Sequence, residues 1–242
     1  MIGSFHAHYT HAQEANKKRN MGQAARAALE SLLRARKLDI TLTSAAPWTA
    51  DDAELRAATG IAAIDAALGG GLRRGHLSEI IGPRSAGRST VLCGALAAAA
   101  VRGELTALVD VCDRFDPASA AAAGVHLPTL LWIRESGDLG RAVKALNLVL
   151  QAGGFGLVAI DLADVPARLV RQVPYTTWIR LSRAIEGTQT VAVVVGSERT
   201  ARSPGGVTIA LDPGGGRWMG RSHRSRRLDG VGIDARVIQA RA

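Results

Sequence analysis

Five short apolar runs alternate with helical segments between residues 76 and 196, and this alternation restricts the fold more than any other feature of the sequence. The runs read HLSEIIG, LTALVDV, TLLWIR, LVAIDL and TVAVVVG. Runs that are apolar on both faces are typical of parallel strands covered by helices on each side. Aromatic residues make up only 4% of the chain, so the core is expected to consist mainly of Ala, Val, Leu and Ile. The sequence therefore predicts an α/β domain with a mostly parallel sheet flanked by helices.

The first of these runs leads into a glycine-rich segment, GPRSAGRST, which precedes a helix. The segment fits the phosphate-binding pattern GxxxxGK[ST] at every fixed position except one, where Arg88 replaces the lysine. In the order strand, loop, helix, such a segment turns backbone N–H groups and the positive end of the helix dipole towards an anion. We predict a degenerate nucleotide-binding loop made of Gly82, Pro83, Arg84, Ser85, Ala86, Gly87, Arg88, Ser89 and Thr90.

Arg88 decides what this loop is expected to do. A guanidinium keeps the positive charge of lysine, but it is broader, planar and forked, so it is expected to hold the outer phosphates differently. Ser89 and Asp161, which ends the fourth apolar run, are candidate ligands of Mg²⁺. The sequence predicts at most weak binding of ATP and Mg²⁺, with neither required. The alternative is a loop that only orders the turn between strand and helix.

The formal charge of +9 is concentrated at the two ends of the chain. Residues 1–40 carry seven basic and three acidic side chains, residues 217–242 carry seven and two, and the stretch between them is balanced. Basic segments release counterions when they bind a polyanion, which favours contact with DNA. The alternative is that they only keep the protein in solution. Candidate contacts with DNA or a protein partner are Arg199, Arg202, Arg217, Trp218, Arg221, Arg224, Arg226 and Arg227.

The composition along the chain predicts four segments. Residues 1–20 are expected to be a disordered extension, and residues 21–58 a helical arm followed by a linker. The α/β core is predicted to span residues 59–212. A basic tail is predicted over residues 213–242, with short strands and a hairpin turn at Asp229–Gly230.

The sequence also indicates the cellular compartment in which the protein is expected. No apolar run approaches the roughly 20 residues that are needed to cross a bilayer. The two cysteines have no paired spacing, which argues against a disulfide framework or a zinc site. A cytoplasmic protein associated with the nucleoid, without membrane contact, is expected.

Longer stretches around the loop are similar to the RecA family. TGIAAIDAALGGGLRRGHLSEIIGPRSAGRSTVL resembles the opening of the RecA ATPase core, and LVDVCDRFDP resembles its next strand. LVAIDL is similar to the second acidic strand, and VAVVVGSER to the strand that leads to a DNA-binding loop. The likeness is collinear over about residues 59–212. Outside that region, LESLLRARKLDITLTS and GGGRWMGRSHRSRRL resemble the ImuA group of short RecA-like proteins.

This resemblance implies a RecA-like P-loop NTPase core and a role in the DNA-damage (SOS) response. Proteins of the ImuA group work beside ImuB, an inactive homologue of Y-family polymerases, and an error-prone DnaE-type polymerase. The implied function is an accessory factor for mutagenic translesion synthesis that contacts RecA or ImuB, touches DNA and forms oligomers. The alternatives are an active, DNA-dependent, filament-forming ATPase and a protein-binding inhibitor of recombination or cell division.

Three departures from the RecA pattern weaken one reaction, ATP hydrolysis. RecA has a glutamate that activates the attacking water two residues after the strand Asp, and Cys112 stands at that position here. Asp113 is adjacent, but strand alternation predicts that it faces the other side of the sheet. Glu198 replaces a glutamine that senses the γ-phosphate in RecA, and its charge is expected to repel phosphate. With Arg88, these residues predict at most a weak ATPase, and no catalytic residue is assigned.

Overall fold

The computed structural model describes residues 55–201, 205–222 and 224–239, which form an α/β domain. Within those ranges the strands, in chain order, are β1 (Arg56–Ala57), β2 (Leu72–Arg73), β3 (Leu77–Ile81), β4 (Thr106–Asp110), β5 (Leu130–Arg134), β6 (Leu157–Asp161), β7 (Val191–Gly196), β8 (Val207–Met219) and β9 (Arg227–Gln239). The helices are α1 (Ala62–Ala67), α2 (Arg88–Val101), α3 (Pro117–Ala122), α4 (Leu139–Ala152), α5 (Ala167–Val170) and α6 (Tyr175–Ile185).

Seven of these strands form one sheet in the order β5-β4-β6-β7-β3-β8-β9. Neighbouring strands are parallel except for β8 and β9, which are antiparallel. The chain leaves β3, crosses to β4 and β5 at one edge, and then fills the gap with β6 and β7. This arrangement confirms the predicted α/β class with a mostly parallel sheet flanked by helices.

The sheet separates two apolar cores, because successive side chains of a strand point to opposite faces. In β6, Leu157 and Ala159 belong to the core that contains α2, whereas Val158 and Ile160 belong to the core that contains α4 and α6. The largest buried side chain of the second core is Trp178, which is 1% exposed. Burial on both faces explains why the strands read as continuous apolar runs.

Capping residues and a proline define where the helices begin and end. Asp116 accepts hydrogen bonds from the N–H groups of Ala118 and Ser119, both at 3.2 Å, and so satisfies donors in the first turn of α3. α5 ends at Val170 and α6 begins after Pro174, which lies between the two helices because a proline cannot continue a helix that precedes it. In the described part of the chain, no helix combines the length and the apolar character needed to span a membrane.

A two-stranded antiparallel ribbon, formed by β1 and β2, begins the described chain. Arg56 pairs with Arg73, and Ala57 pairs with Leu72. The sequence analysis placed residues 56 and 57 in a linker, because a strand of two residues has no periodicity to detect. The predicted N-terminal extension and helical arm, residues 1–54, lie outside the described residues.

β8 and β9 form a long hairpin at the opposite edge of the sheet from β5. β3 pairs with β8 only from Thr208 to Ala210, whereas β8 and β9 remain paired as far as Met219 and Arg227. The outer part of the hairpin is therefore a two-stranded ribbon without a third strand. Most of the predicted basic tail belongs to this ribbon.

The prediction of a hairpin turn at Asp229–Gly230 is wrong. Both residues lie in β9, where Gly230 pairs with Arg217, and the chain reverses between Gly220 and Arg226. The Asp-Gly preference is a local signal, and the longer ladder with β8 overrides it because register is set by pairing along the whole strand.

The carboxyl ends of the parallel strands meet at one edge of the sheet, where open α/β sheets bind their ligands. β3 runs into the glycine-rich loop at this edge, β4 ends in Asp110, and β6 ends in Asp161. Asp110 lies opposite Asp161 in the ladder, and Ile81 lies opposite Gly196. The fold therefore brings the glycine-rich loop and the predicted magnesium ligand Asp161 to the same edge.

Candidate nucleotide site and nucleic-acid contacts

The glycine-rich loop leaves β3 at Gly82 and ends at Gly87, the residue before α2. Gly87 has a φ of 93°, in the left-handed region that favours glycine. A Cβ at Gly82 would lie 2.6 Å from the carbonyl oxygen of Leu211, so this glycine is required by a close backbone approach. Within the described residues no side chain caps α2, and the N–H groups of its first turn are left for an anion.

The other residues of the predicted loop differ in burial. Ala86 is buried, and its N–H donates to the carbonyl oxygen of Pro83 at 3.3 Å. Pro83, Arg84 and Ser85 are exposed, as are Ser89 and Thr90 at the start of α2. The polar side chains of the loop other than Arg88 are therefore exposed to solvent, whereas Ala86 is folded into the core.

Arg88, the first residue of α2, is only 8% exposed. Its Nη1 is buried and has no hydrogen-bond partner among the described residues. Buried donors are almost always paired, and an unpaired one costs about 1–3 kcal/mol. A phosphate oxygen would supply the missing acceptor, so the side chain that departs from the phosphate-loop pattern still fits an anion.

Asp161, the predicted magnesium ligand at the end of β6, has an unusual electrostatic environment. Its Oδ1 accepts a hydrogen bond from the N–H of Ala163 at 2.8 Å. Burial raises the pKa of this carboxyl, and the charges of Asp110 and Asp164 raise it further. A divalent cation would favour the ionised form and offset this penalty.

The other predicted magnesium ligand, Ser89, adds one hydroxyl. Among the described residues, no group of three or more His, Cys, Asp or Glu side chains is arranged to hold a metal ion. Magnesium in such a site takes most of its six ligands from phosphate oxygens and water. Ser89 and Asp161 therefore fit a magnesium ion that arrives with a nucleotide, and not a site built from protein ligands alone.

Asp110 is buried, and its carboxylate accepts hydrogen bonds from the segment that follows β4. Its Oδ1 accepts from the N–H of Arg114 at 3.0 Å, and its Oδ2 from the N–H of Phe115 at 2.8 Å. The indole N–H of Trp132 lies 3.4 Å from the same Oδ2. These bonds close the loop after β4, which carries Cys112. Asp110 therefore has a structural role.

Cys112 occupies the position where the resemblance to RecA implies a catalytic glutamate. Burial raises the pKa of its thiol, and the charges of Asp164, Asp110 and Asp161 raise it further. The side chain is therefore a neutral thiol at neutral pH, and a neutral thiol is a poor acceptor for a proton from water. The local environment of Cys112 agrees with the expected loss of this function.

Asp113 is held by Arg134, whose Nε and Nη2 each lie 2.8 Å from a carboxylate oxygen. The arginine keeps the pKa of Asp113 below its usual range. The expectation based on strand alternation is wrong, because β4 ends at Asp110 and Asp113 lies in a turn with a φ of 54°. A carboxylate that is paired with arginine and has a low pKa is a weak general base, so Asp113 is a poor substitute for the missing glutamate.

Glu198, expected to repel the γ-phosphate, is also paired. Its two oxygens lie 2.7 and 2.6 Å from the Nε and Nη2 of Arg171, and this arginine lowers the pKa of the carboxyl. The negative charge of Glu198 is therefore largely balanced by Arg171. The sequence analysis did not predict this pairing.

Asp164 connects the loops around the site. Arg84 of the glycine-rich loop lies 3.1 Å from its Oδ1, and Arg114 lies 4.0 Å from its Oδ2. Both arginine side chains are largely exposed, so solvent screens these pairs and each contributes little to stability. The pairs nevertheless keep two cations at the carboxyl edge of the sheet.

The candidate contacts after β7 are only partly described. Arg199 is half-buried, and its Nε is buried without a hydrogen-bond partner among the described residues. The side chain lines a cavity together with Trp178 and the Arg171–Glu198 pair. Arg202 lies outside the described residues. Arg199 is therefore less accessible than the sequence analysis assumed for a DNA contact.

The remaining candidate contacts gather at the tip of the β8–β9 ribbon. Trp218 is 53% exposed, and the guanidinium of Arg226 lies 5.3 Å from the centre of its ring. No acidic residue occurs between residues 213 and 228. Arg217 lies in β8, but its side chain is outside the description. The exposed arginines at the tip are Arg221, Arg224, Arg226 and Arg227.

The turn that carries these side chains is well defined. Ser222 and Ser225 exchange hydrogen bonds across it: the N–H of Ser225 donates to the carbonyl oxygen of Ser222 at 3.1 Å, and the N–H of Ser222 donates to Oγ of Ser225 at 3.1 Å. Gly220 has a φ of 112°, which favours glycine. The hydrogen bonds between Ser222 and Ser225 therefore connect the two sides of the turn that carries these cations.

One buried acid, Glu79 in β3, was not predicted from the sequence. Its Oε1 accepts from the N–H groups of Thr200 and Ala201 at 2.6 and 2.7 Å, and its Oε2 accepts from the hydroxyl of Thr208 at 3.2 Å. These bonds fasten the segment after β7 to the centre of the sheet. A single glutamate inside the apolar run HLSEIIG was the signal that could have revealed it.

Comparison with known proteins places this geometry among RecA homologues. A family model described as the RecA N-terminal domain matches residues 49–172, half of the chain. The RecA protein of Chlorobaculum tepidum is 40% identical over 105 residues, which cover 43% of this chain and 30% of that protein. The RecA protein of Streptococcus pyogenes serotype M49 is 31% identical over 157 residues, which cover 58% of this chain and 41% of that protein.

The chain therefore spans less than half the length of the curated relatives it matches. The crystal structure of the RadB recombinase is similar with a TM-score of 0.48 and 15% sequence identity, over 65% of this chain and 86% of that one. The region matched by the family model includes the whole glycine-rich loop and the two carboxylates opposite each other on β4 and β6. On the extent of that match, the chain belongs to the RecA N-terminal domain family.

Proposed function

We propose that this protein is a RecA-family accessory factor in DNA-damage-induced mutagenesis and translesion synthesis, which binds ATP mainly as a structural ligand. The proposal rests on a contrast at the carboxyl edge of the sheet, between a side chain that is suited to bind an anion and the groups that would have to activate water. Arg88 is buried with an unpaired donor at the start of α2, whereas the groups that would activate water are neutral or paired.

Retention of nucleotide binding is supported by what the loop still offers. The first turn of α2 has no side-chain cap, and Nη1 of Arg88 has no hydrogen-bond partner among the described residues. Burial and neighbouring carboxylates raise the pKa of Asp161. A magnesium phosphate group would satisfy all three features at once. Binding is expected to be weak, because guanidinium geometry differs from that of the usual lysine.

Slow turnover is supported by the state of the candidate bases. Cys112 is a neutral thiol, and Asp113 is held by Arg134. General-base catalysis contributes about 10²–10⁴-fold to a typical enzymatic rate, so its loss leaves little hydrolysis. We infer that the accessory role of the protein depends on whether a nucleotide is bound, and not on nucleotide hydrolysis.

The partners follow from the resemblance to the ImuA group. We infer contact with RecA or ImuB in the cytoplasm at the nucleoid, in a pathway that includes an error-prone DnaE-type polymerase. The ribbon tip supports an additional contact with DNA, because exposed arginines and the exposed Trp218 lie close together there and the guanidinium of Arg226 lies over the indole ring. Arginines bind phosphates, and an exposed indole stacks on bases of single strands.

The nucleotide proposal is tested by titration of a fluorescent ATP analogue with magnesium, followed by a phosphate-release assay with single-stranded DNA present. We expect measurable binding that Arg88→Ala weakens by about 10-fold or more, with release too slow to resemble a recombinase. Arg180→Ala is the matched control, because it removes an exposed arginine of α6 that lies outside the loop, and it is expected to bind normally. Recombinase-like turnover by the wild type would favour the alternative, a filament-forming ATPase.

The partner proposal is tested by capture of purified RecA and ImuB with and without ATP. We expect ATP to increase capture by the wild type and to have no effect with Arg88→Ala. Absence of capture of both proteins by the full chain, under conditions where ATP binds, would reject the accessory role while leaving the nucleotide site intact.

A further inference from the structure

A cavity of about 470 Å³ lies between the α5–α6 segment and the residues that follow β7. Trp178 and Val170, which line it, belong to the apolar core on the side of α4 and α6. α2 and the glycine-rich loop belong to the core on the other face of the sheet. The cavity therefore lies on the opposite face of the sheet from α2 and the glycine-rich loop.

Two residues that line this cavity each contain a buried donor without an acceptor. The described residues contain four buried side-chain nitrogen or oxygen atoms without a hydrogen-bond partner, and two of them, Nε1 of Trp178 and Nε of Arg199, belong to residues that line this cavity. Buried polar groups are paired in the large majority of cases. Two exceptions in one cavity indicate a ligand that brings acceptor oxygens.

The charges around the cavity restrict the kind of ligand. Arg171 is committed to Glu198 through two hydrogen bonds, and this pairing lowers the pKa of Glu198, which is ionised at neutral pH. Arg199 has no ion-pair partner among the described residues and leaves one net positive charge. One uncommitted cation matches a single carboxylate group, whereas a phosphate dianion would bring two negative charges onto one group beside Glu198.

The geometry of the donors also favours a carboxylate as the ligand. The Nε edge of a guanidinium presents parallel N–H groups that match the two oxygens of a carboxylate. Val170, Val173 and the ring of Tyr175 add apolar surface on which the carbon stem of a ligand can pack. The cavity therefore offers polar groups for a carboxylate and apolar surface for the carbon chain that carries it.

We infer that this cavity binds a carboxylate, which Arg199 and the indole N–H of Trp178 hold and which the Arg171–Glu198 pair selects against phosphate. The carboxylate comes from an acidic peptide segment of a protein partner or from a free dicarboxylic acid, since both offer the same chemistry. The inference does not depend on the nucleotide site or on the partners proposed above.

The test is a titration of ¹⁵N-labelled full-length protein followed by NMR. The chain has four tryptophans, so four indole N–H signals are expected, and Trp178→Phe identifies the signal of Trp178. The probes are glutarate, a short acetylated polyglutamate peptide, inorganic phosphate and a short oligothymidylate. We expect the carboxylates to move the Trp178 signal, with the other three signals in place.

Two substitutions test the roles of the lining residues. Arg199→Gln is expected to weaken carboxylate binding by about 10-fold or more, because it removes the charged donor. Arg168→Gln is the matched control, since it removes an exposed arginine of α5 that does not line the cavity. Glu198→Gln frees Arg171 and is expected to tighten carboxylate binding and to admit phosphate.

Each outcome supports or overturns the inference. A Trp178 signal that responds to the peptide at lower concentration than to glutarate assigns the ligand to a protein segment, and the reverse order assigns it to a free acid. A response to phosphate or oligothymidylate at lower concentration than to both carboxylates overturns the inference, as does the absence of any response. Where Trp178→Phe fails to fold, the signal is assigned by its loss of response in Arg199→Gln.

Discussion

Asp110 and Asp161 lie opposite each other at the carboxyl ends of β4 and β6, and Asp161 accepts fewer hydrogen bonds from the protein than Asp110 does. Asp110 is bound by two backbone N–H groups and by the indole of Trp132, whereas Asp161 accepts one backbone hydrogen bond, from Ala163. The charge of Asp110 disfavours ionisation of Asp161 and so raises the pKa of Asp161 further, beyond the effect of burial. The pair therefore divides into a structural acid and a candidate metal ligand.

Asp161 should make stability depend on pH. An acid whose pKa is higher in the folded state than its unfolded value of about 3.9 stabilises the fold while it is protonated. This contribution is fully present below that unfolded value and is lost as the pH rises through the folded pKa. Asp161→Asn keeps an acceptor for Ala163 but cannot ionise. We expect its free energy of unfolding, relative to wild type, to increase between about pH 4 and pH 7 in urea titrations.

The control for this experiment is Asp164→Asn, which changes an exposed carboxyl on the same loop. It removes the pairs with Arg84 and Arg114 and is expected to show no such gain at pH 7. An Asp161→Asn variant whose relative stability is independent of pH would contradict the assigned direction of the pKa.

Replacement of Asp110 should test its structural role. Asp110→Asn replaces one carboxylate oxygen with an NH₂ group, so the bond to either Arg114 or Phe115 is lost. Loss of a hydrogen bond to a charged acceptor costs about 1.5–3 kcal/mol, and we expect a decrease of up to that size in the free energy of unfolding. Chemical denaturation measures it, and unchanged stability would assign the loop closure to other contacts.

Cys112 offers a way to restore the lost chemistry. Cys112→Glu places a carboxylate at the position that the RecA resemblance assigns to the catalytic base. We expect ATP hydrolysis to rise, within the roughly 10²–10⁴-fold that a general base supplies. Cys112→Ser is the control, because it keeps the size of the side chain without adding a base. If Cys112→Glu binds ATP and still fails to hydrolyse it, then Arg88 misplaces the phosphate.

The ribbon tip should carry DNA binding through both charge and stacking. Combined Arg224→Ala and Arg227→Ala substitutions are expected to reduce the salt dependence of binding to single-stranded DNA by about 0.7 for each lost phosphate contact. Trp218→Ala is expected to weaken binding by about 1–3 kcal/mol with little change in the salt slope. Fluorescence anisotropy at several salt concentrations separates the two effects.

Arg236 provides the matched control on the same ribbon. It pairs with Asp212 at 3.0 Å, so Arg236→Ala removes a charge that is already balanced. We expect DNA affinity to remain within a factor of two or so of the wild type. Equal losses in Arg236→Ala and in the tip variants would show that net charge, and not the tip, governs binding.

The strands and the glycine-rich loop were predictable because their signals are local. Continuous apolar runs indicate strands buried on both faces, and Gly82 and Gly87 indicate a tight turn before a helix. The position of Asp161 at a strand end followed from the same runs. The pairing of Glu198 with Arg171 was not predictable in this way, because the two residues lie 27 positions apart and meet through the packing of separate elements.

The sequence by itself determined the α/β class, the order of the elements and the chemistry of the loop, because periodicity and turn preferences act over a few residues. The tertiary structure alone decided which strands became neighbours, that the last two strands continue the sheet, and which charges compensate each other. Those outcomes depend on distances between segments far apart in the chain. Asp113 illustrates the difference: its position beside Cys112 is local, but its pairing with Arg134 follows from the alignment of β4 with β5.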